Sequence, residues 1–193
     1  MPKKSKAPGV RGRARERILQ AALKLYNEHG IPNTGTEHII AEADVAKMTF
    51  YRIFGSKSGL TKEVLKIRDE HFFEIIDGHI KRASNPKDKV LGLFDGLHEW
   101  FETPGFNGCI FLRGVFDFDG EDEDPLVKQA FQTHFKRFDR LLVSLVKPIA
   151  PQGHKKMVLQ LSALVTGAII MAQTTGSAEI AVVSKELTRK LLD

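Results

Sequence analysis

Between Thr36 and Lys57 the chain sets hydroxyl, aromatic and basic side chains at short intervals, and their chemistry is hydrogen bonding to a polyanion. Lys47 can reach the acceptor edge of guanine, Thr49 can offer a hydroxyl or a methyl, and Arg52 can pair with a base or a phosphate. The spacing leaves Lys47, Thr49, Tyr51 and Arg52 on or near the outer face of one short helix, roughly Ala46 to Phe54. A second short pattern, roughly Thr36 to Ala43, precedes it and opens on a hydroxyl residue suited to N-capping. Ile39, Ile40 and Val45 are spaced to hold the two together, and Phe50 and Phe54 read as core. Asp44 stands where the chain must reverse, and Asp tolerates left-handed backbone better than most residues. Two short helices joined by a tight turn, the second polar and basic, is the plan of a helix-turn-helix.

The charge distribution agrees with that chemistry. Residues 1–60 hold 11 Lys and Arg against 5 Asp and Glu, a net of +6, whereas residues 61–193 hold 18 against 19. The positive excess therefore sits with the helix-turn-helix, the expected footprint of a phosphate-binding surface. One cysteine, Cys109, leaves no internal disulfide and fits a reducing cytoplasm. The basic start MPKKSKAPGVRGR is followed by no apolar stretch of a secretory signal. No apolar run is read as approaching the ~18 residues of a membrane span, so no membrane partner is expected.

The elements that must position these side chains are helical throughout. Residues 1–12 are rich in Lys, Pro and Gly and read as a disordered basic tail able to follow a DNA backbone or enter a minor groove. Ile18, Ala22, Leu25 and Tyr26 mark a helix from about Gly12 to His29, which Gly30 ends. Ser56-Lys57-Ser58 opens a helix running to about Ala83, some 40 Å at 1.5 Å per residue. Its Leu60, Val64 and Ile67 face the small domain, and Leu65, Phe72, Ile76 and His79 form a further stripe. A helix from about Pro86 to Phe101 follows. Residues 108–118 are read as a short buried helix, because no second strand-like run exists to pair with them. Pro125 starts a helix to about Val146, and two more span 153–175 and 178–192. The fold class is all-α, about nine helices, divided into a helix-turn-helix domain over 13–56 and a larger helical domain over 57–193.

The run Ala43-Asp44-Val45-Ala46-Lys47-Met48-Thr49-Phe50-Tyr51-Arg52-Ile53-Phe54, followed by Gly55-Ser56-Lys57, resembles the signature of the tetracycline-repressor (TetR) family of bacterial transcription regulators. The resemblance covers residues 14–66 and includes His29-Gly30 and Thr36. The sequence departs from the pattern at Asp44, Ala46 and Met48, where the family often has Gly, Ser and Gly. The last of these adds bulk beside the DNA. The resemblance implies phosphate contacts by Tyr51, Lys57 and Thr36. With Lys47, Met48, Thr49 and Arg52 these form the expected DNA-binding set. It further implies a homodimer on a palindromic double-stranded operator, a repressor released by a small apolar or aromatic effector, and no enzymatic activity or cofactor.

In that family the helices after the DNA-binding domain surround an effector pocket. Phe72, Ile76, Trp100, Phe116, Phe131 and Phe138 are the candidate apolar walls here, and His79, Cys109, Arg113 and His134 the candidate polar or reactive handles. The dimer surface is expected on the last two helices, at Leu161, Leu164, Ala168 and Ala172, with Ser162, Ala163, Thr166 and Gly167 leaving room for a close neighbour.

An alternative is a dimeric regulator controlled by a protein partner or by oxidation of Cys109, whose thiolate Arg113 would favour one turn away. The acidic run Asp117–Asp124 lacks the Gly at position six and the Glu at position twelve of a calcium loop, so it reads as solvated loop. The chain has no HExxH, Walker A, GxGxxG or GxSxG run, and its histidines lack metal-ligand spacing.

Overall fold

The computed structural model describes residues 10–117 and 124–193. The tail up to residue 9 and most of the acidic run, 118–123, lie outside the described residues. Nine helices and no strand occupy the described part, as the periodicities predict.

The first, α1 (Val10–His29), starts earlier than the expected Gly12, so Val10 and Arg11 belong to helix rather than tail. It stops at Gly30, whose φ of 83° suits glycine and whose N–H donates to Tyr26 O at 3.0 Å. Then come α2 (Thr36–Glu42) and α3 (Lys47–Phe54). Between them Asp44 sits at φ 48°, the positive-φ non-glycine position among the described residues, as its place in the reversal requires. Thr36 does not cap α2. Gly35 holds the N-cap position and Thr36 is the first helical residue, because the chain enters through the extended Gly35.

α4 (Lys57–Arg82) is capped by the Ser56 side chain, which accepts from the Gly59 N–H at 3.0 Å. Glycine is needed at 59 because a Cβ there would run into the Phe54 carbonyl, so the step from α3 to α4 can be tight. α5 (Pro86–Phe101) has Asn85 as N-cap and Pro86 in its first turn, and α6 (Ile110–Asp117) is the short helix anticipated at 108–118. Asp124 caps α7 (Pro125–Val146), accepting from the Leu126 N–H at 2.9 Å. α8 (His154–Thr175) and α9 (Glu179–Leu192) complete the chain.

α1, α2 and α3 close over Ile18, Ala22, Tyr26, Ile39, Phe50 and Phe54, and the first turns of α4 add Leu60 and Val64 to that core. Buried Tyr26 shares a hydrogen bond of 2.8 Å with Thr61 on α4, tying head to body. In the body α5 lies between α4 and α9, and Val90, Leu93, Phe94 and Leu97 are fully covered. The buried residues form one continuous cluster from α1 to α9, so α4 serves both parts.

α8 departs from the expectation about apolar runs. It is long and apolar enough, by length and composition, to cross a membrane, with a mean hydropathy of 1.6 over its most apolar 18 residues, of which 33% are buried inside the chain. The reason is that both of its faces are apolar. One is packed into the body, while the other carries Leu159, Ile170 and Met171 exposed.

Candidate DNA-reading face and internal cavity

α3 presents its polar side chains outward because Phe50 and Phe54 anchor its other side. Phe50 is fully buried, and its ring meets Phe54 at 5.9 Å and the edge of Tyr51 at 5.2 Å. That leaves Tyr51 41% exposed and Met48 78% exposed, with Lys47 and Arg52 also exposed and Thr49 half-buried. Lys47 Nζ donates to Glu37 Oε1 of α2 at 2.6 Å, a bond that raises the lysine pKa and aims the ammonium along the α2–α3 edge. A surface groove lined by Ala14, Arg17, Asp44, Val45, Ala46, Thr49 and Arg52 adjoins this face. Arg17 Nη1 donates to Asp44 Oδ2 at 3.3 Å there, so α1 steadies the turn.

Two members of the expected DNA-binding set sit differently. Thr36 is half-buried on the first turn of α2, and Lys57 turns inward. Its Nζ donates to the Ile31 carbonyl at 2.8 Å, and partial burial lowers its pKa. In this conformation Lys57 holds the connector after α1 to the start of α4 rather than offering its charge to a phosphate.

The body has a half-open pocket of about 200 Å³ between α4, α6, α7 and α8. Phe72, Leu112, Phe135, Phe138, Val165 and Ile169 supply apolar walls, and Cys109, His134, Asp139, Ser162 and Thr166 the polar ones. Of the expected ligand set, Phe72, Cys109, His134 and Phe138 meet here. Trp100 packs edge-on against Phe72 at 5.0 Å and lines an adjoining niche with Arg68, Cys109 and His134.

The remaining members go elsewhere, each because a neighbouring element captures it. Ile76 fills the α4–α5 contact against Gly96, and His79 Nε2 faces Glu99 Oε2 at 2.7 Å. Phe131 packs on Phe111 and over Gly114, between α6 and α7. Arg113 reaches back to α1, its Nη1 donating to Asn27 O at 3.3 Å. The side chain of Phe116 lies outside the described residues.

His134 is the best-defined polar wall. Its ring stacks on Phe111 at 3.7 Å between centroids with 3° between planes. Its Nδ1 lies 2.7 Å from Asp69 Oδ1, and Asp69 Oδ2 accepts from Arg137 Nη1 at 2.6 Å, while that guanidinium covers the Phe73 ring. Burial pushes the His134 pKa down, and the neighbouring Asp69 carboxylate opposes the shift. The neutral ring donates Nδ1–H to Asp69, which leaves Nε2 as the acceptor.

Residues not anticipated as cavity walls are Leu112, Phe135, Asp139, Ser162, Val165, Thr166 and Ile169. Ser162 and Thr166 are half-buried and line this pocket. Three of the expected dimer residues are internal. Leu161, Ala168 and Ala172 are buried against the chain's own helices, and Leu164 is half-buried. The exposed apolar stripe of the last two helices is instead Leu159, Ile170 and Met171 on α8 with Val183, Leu187 and Leu191 on α9. The signal was available in the sequence, since both faces of α8 are apolar, but the choice between them was not.

Asn27, near the end of α1, joins the head to the body. Its carbonyl accepts from Asn107 Nδ2 at 2.6 Å and from Arg113, its Nδ2 donates to Gly105 O at 3.0 Å, and its Oδ1 accepts from Arg68 Nη2 at 3.1 Å. The α5–α6 loop and α6, which flank the cavity, are thereby tied to α1. Nothing in the sequence pattern marked Asn27.

Residues 18–64 match the family model described as bacterial regulatory proteins, tetR family. The fold as a whole is similar to that of a TetR-family transcriptional regulator from Streptomyces coelicolor, at 22% identity and a TM-score of 0.84 over 93% of this chain and 94% of that one. A TetR-family regulator from Cytophaga hutchinsonii is similar at 18% identity and a TM-score of 0.77 over 97% and 96%. One from Chloroflexus aurantiacus is similar at 20% identity and 0.76 over 92% and 93%. No curated protein matches the sequence.

Proposed function

We propose, for this chain that carries a TetR-family DNA-binding domain on the TetR-regulator fold, that it acts as a homodimeric repressor released from a palindromic operator by a small apolar or aromatic molecule. The observation that carries the reading is the cavity of about 200 Å³, walled by aromatic and aliphatic side chains, beside the same long α4 that abuts the DNA-reading head. A cavity of that size suits one or two rings. Binding there favours one placement of α6 and α4, and through Asn27 and Tyr26 one placement of α1. The spacing of the two recognition helices changes accordingly. The ligand acts only to the extent that it prefers one spacing over the other.

Met48, Thr49, Tyr51 and Arg52 are the proposed reading surface, with Lys47 available once Glu37 gives way to a base or phosphate. One such unit contacts too few bases for selectivity, and a second copy supplies the other half-site. The second copy is assigned to the exposed stripe of α8 and α9, which would form a four-helix bundle with its equivalent. Ile170→Asp with Leu187→Asp should give monomers in sedimentation and loss of operator binding, with helicity intact. A dimer that survives both changes places the interface elsewhere.

Cys109 oxidation is the weaker control mechanism. The thiol is buried, and burial pushes its pKa up, so the reactive thiolate is disfavoured at neutral pH.

The direct test is selection from randomised duplex DNA at two salt concentrations. Recovery of a palindromic site with a steep salt slope is expected. Tyr51→Ala should then weaken binding to all sequences, and Lys47→Ala should alter the preferred one. Absence of any enriched site would overturn the assignment.

A further inference from the structure

We propose that the effector is a small acid, an aromatic or aliphatic body with one carboxylate, and that Arg68 receives the carboxylate. This rests on the ligand-responsive reading above and narrows its chemistry.

Arg68 is the unsettled charge beside the cavity. It is half-buried on α4, and none of the ion pairs among the described residues includes it. Its Nε is buried with no hydrogen-bond partner, and its guanidinium makes a side-chain bond to neutral Asn27 Oδ1. Burying a guanidinium without a counter-anion is costly, and burial draws its pKa down. Buried polar groups in folded proteins normally find partners, so an orphaned donor on a residue that lines a void marks a place for one.

The void is there. Arg68 lines the niche of about 20 Å³ with Trp100 and Cys109, roughly the room of one water molecule. A carboxylate oxygen needs no more. Phe72, Cys109 and His134 wall both the niche and the larger cavity, so the two voids adjoin across these three side chains. The larger cavity offers no Lys or Arg of its own, and its single carboxylate, Asp139, is exposed to solvent. An acid therefore finds its counter-charge at Arg68, whose unpartnered Nε–H can donate to one carboxylate oxygen. A carboxylate on Arg68 competes with Asn27 for the same guanidinium. It would loosen the bond between α4 and α1, which gives the ligand a route to the DNA-binding head.

The experiment uses the full chain and three matched probes: hydrocinnamate, the corresponding alcohol and the corresponding ammonium. Binding is followed by calorimetry and by fluorescence of Trp100, the one tryptophan, which lines the niche. Hydrocinnamate should bind about tenfold or more tighter than the alcohol, the range of a hydrogen bond to a charged group. Arg68→Gln should erase the difference in affinity between acid and alcohol, with circular dichroism and the thermal midpoint reporting an intact fold. Arg68→Lys should retain part of the preference. Equal affinity for acid and alcohol overturns the proposal and leaves the effector reading standing. Tightest binding of the ammonium also overturns it, and points to Asp139. Binding of none of the three overturns both.

Discussion

The head and the body of this protein are built from the same material, helices with apolar faces, yet they are finished differently. In the head, Tyr26, Ile39, Phe50 and Leu60 close on one another and are buried almost completely, and the chemistry is left on the outside of α3. In the body, Phe72, Phe135 and Phe138 stand around an unfilled volume, and the chemistry faces inward. A surface that reads a rigid duplex benefits from a backing that does not give, because base contacts are lost with small displacements. A site with the ligand-responsive role proposed for the body needs space and alternative packing. The difference lies in how the helices meet rather than in composition.

That contrast can be broken most directly by truncating one ring in each part. Phe50→Ala should cost about 3–5 kcal/mol in urea denaturation, as in other filled cores, with loss of DNA binding. Phe138→Ala, half-exposed beside existing space, should cost about 1–2 kcal/mol. Equal losses would mean that the body is as tightly filled as the head.

The second test fills the space. Thr166→Ile adds volume to the cavity wall and should stabilise the protein by about 0.5–2 kcal/mol in thermal unfolding while excluding probe ligands. Destabilisation with retained ligand binding would mean that the site is not where the cavity lies.

The smallest effect concerns pH. The folded pKa of His134 lies below its ordinary value of 6.5 because the ring is buried. Well above pH 6.5 the ring is neutral folded or unfolded, and it contributes no pH dependence. As pH falls below 6.5 the unfolded chain takes up a proton that the folded chain resists, so stability should decline, and continue declining until the folded pKa is passed. His134→Gln should flatten this part of the stability profile, measured by urea midpoints between pH 7 and 5. An unchanged slope would place the protonation elsewhere.

The helices were legible because each carries its own instructions. Apolar spacing, Asn85-Pro86 and Asp124-Pro125 at helix starts, and Gly30 at the end of α1 act within a few residues. For the same reason the outward face of α3 was legible: Phe50 and Phe54 must turn in, so Tyr51 and Arg52 must turn out. The cavity was legible only as a region. Phe72, Phe131 and Phe138 look equivalent along the sequence, and it is the meeting of α6 with α7 over Gly114 that takes Phe131 out of the cavity walls.

Sequence by itself determined the nine-helix order, the charge bias toward the head and the helix-turn-helix with its outward side chains, because these follow from local propensity and from residues within one or two turns. Tertiary structure alone decided which face of α8 is inside, that Lys57 binds a carbonyl, that Asn27 joins three elements, and that Arg68 is left with an unpartnered nitrogen. Those outcomes depend on contacts between residues up to 86 positions apart, such as Arg113 with Asn27, and periodicity carries no information about which face another helix will cover.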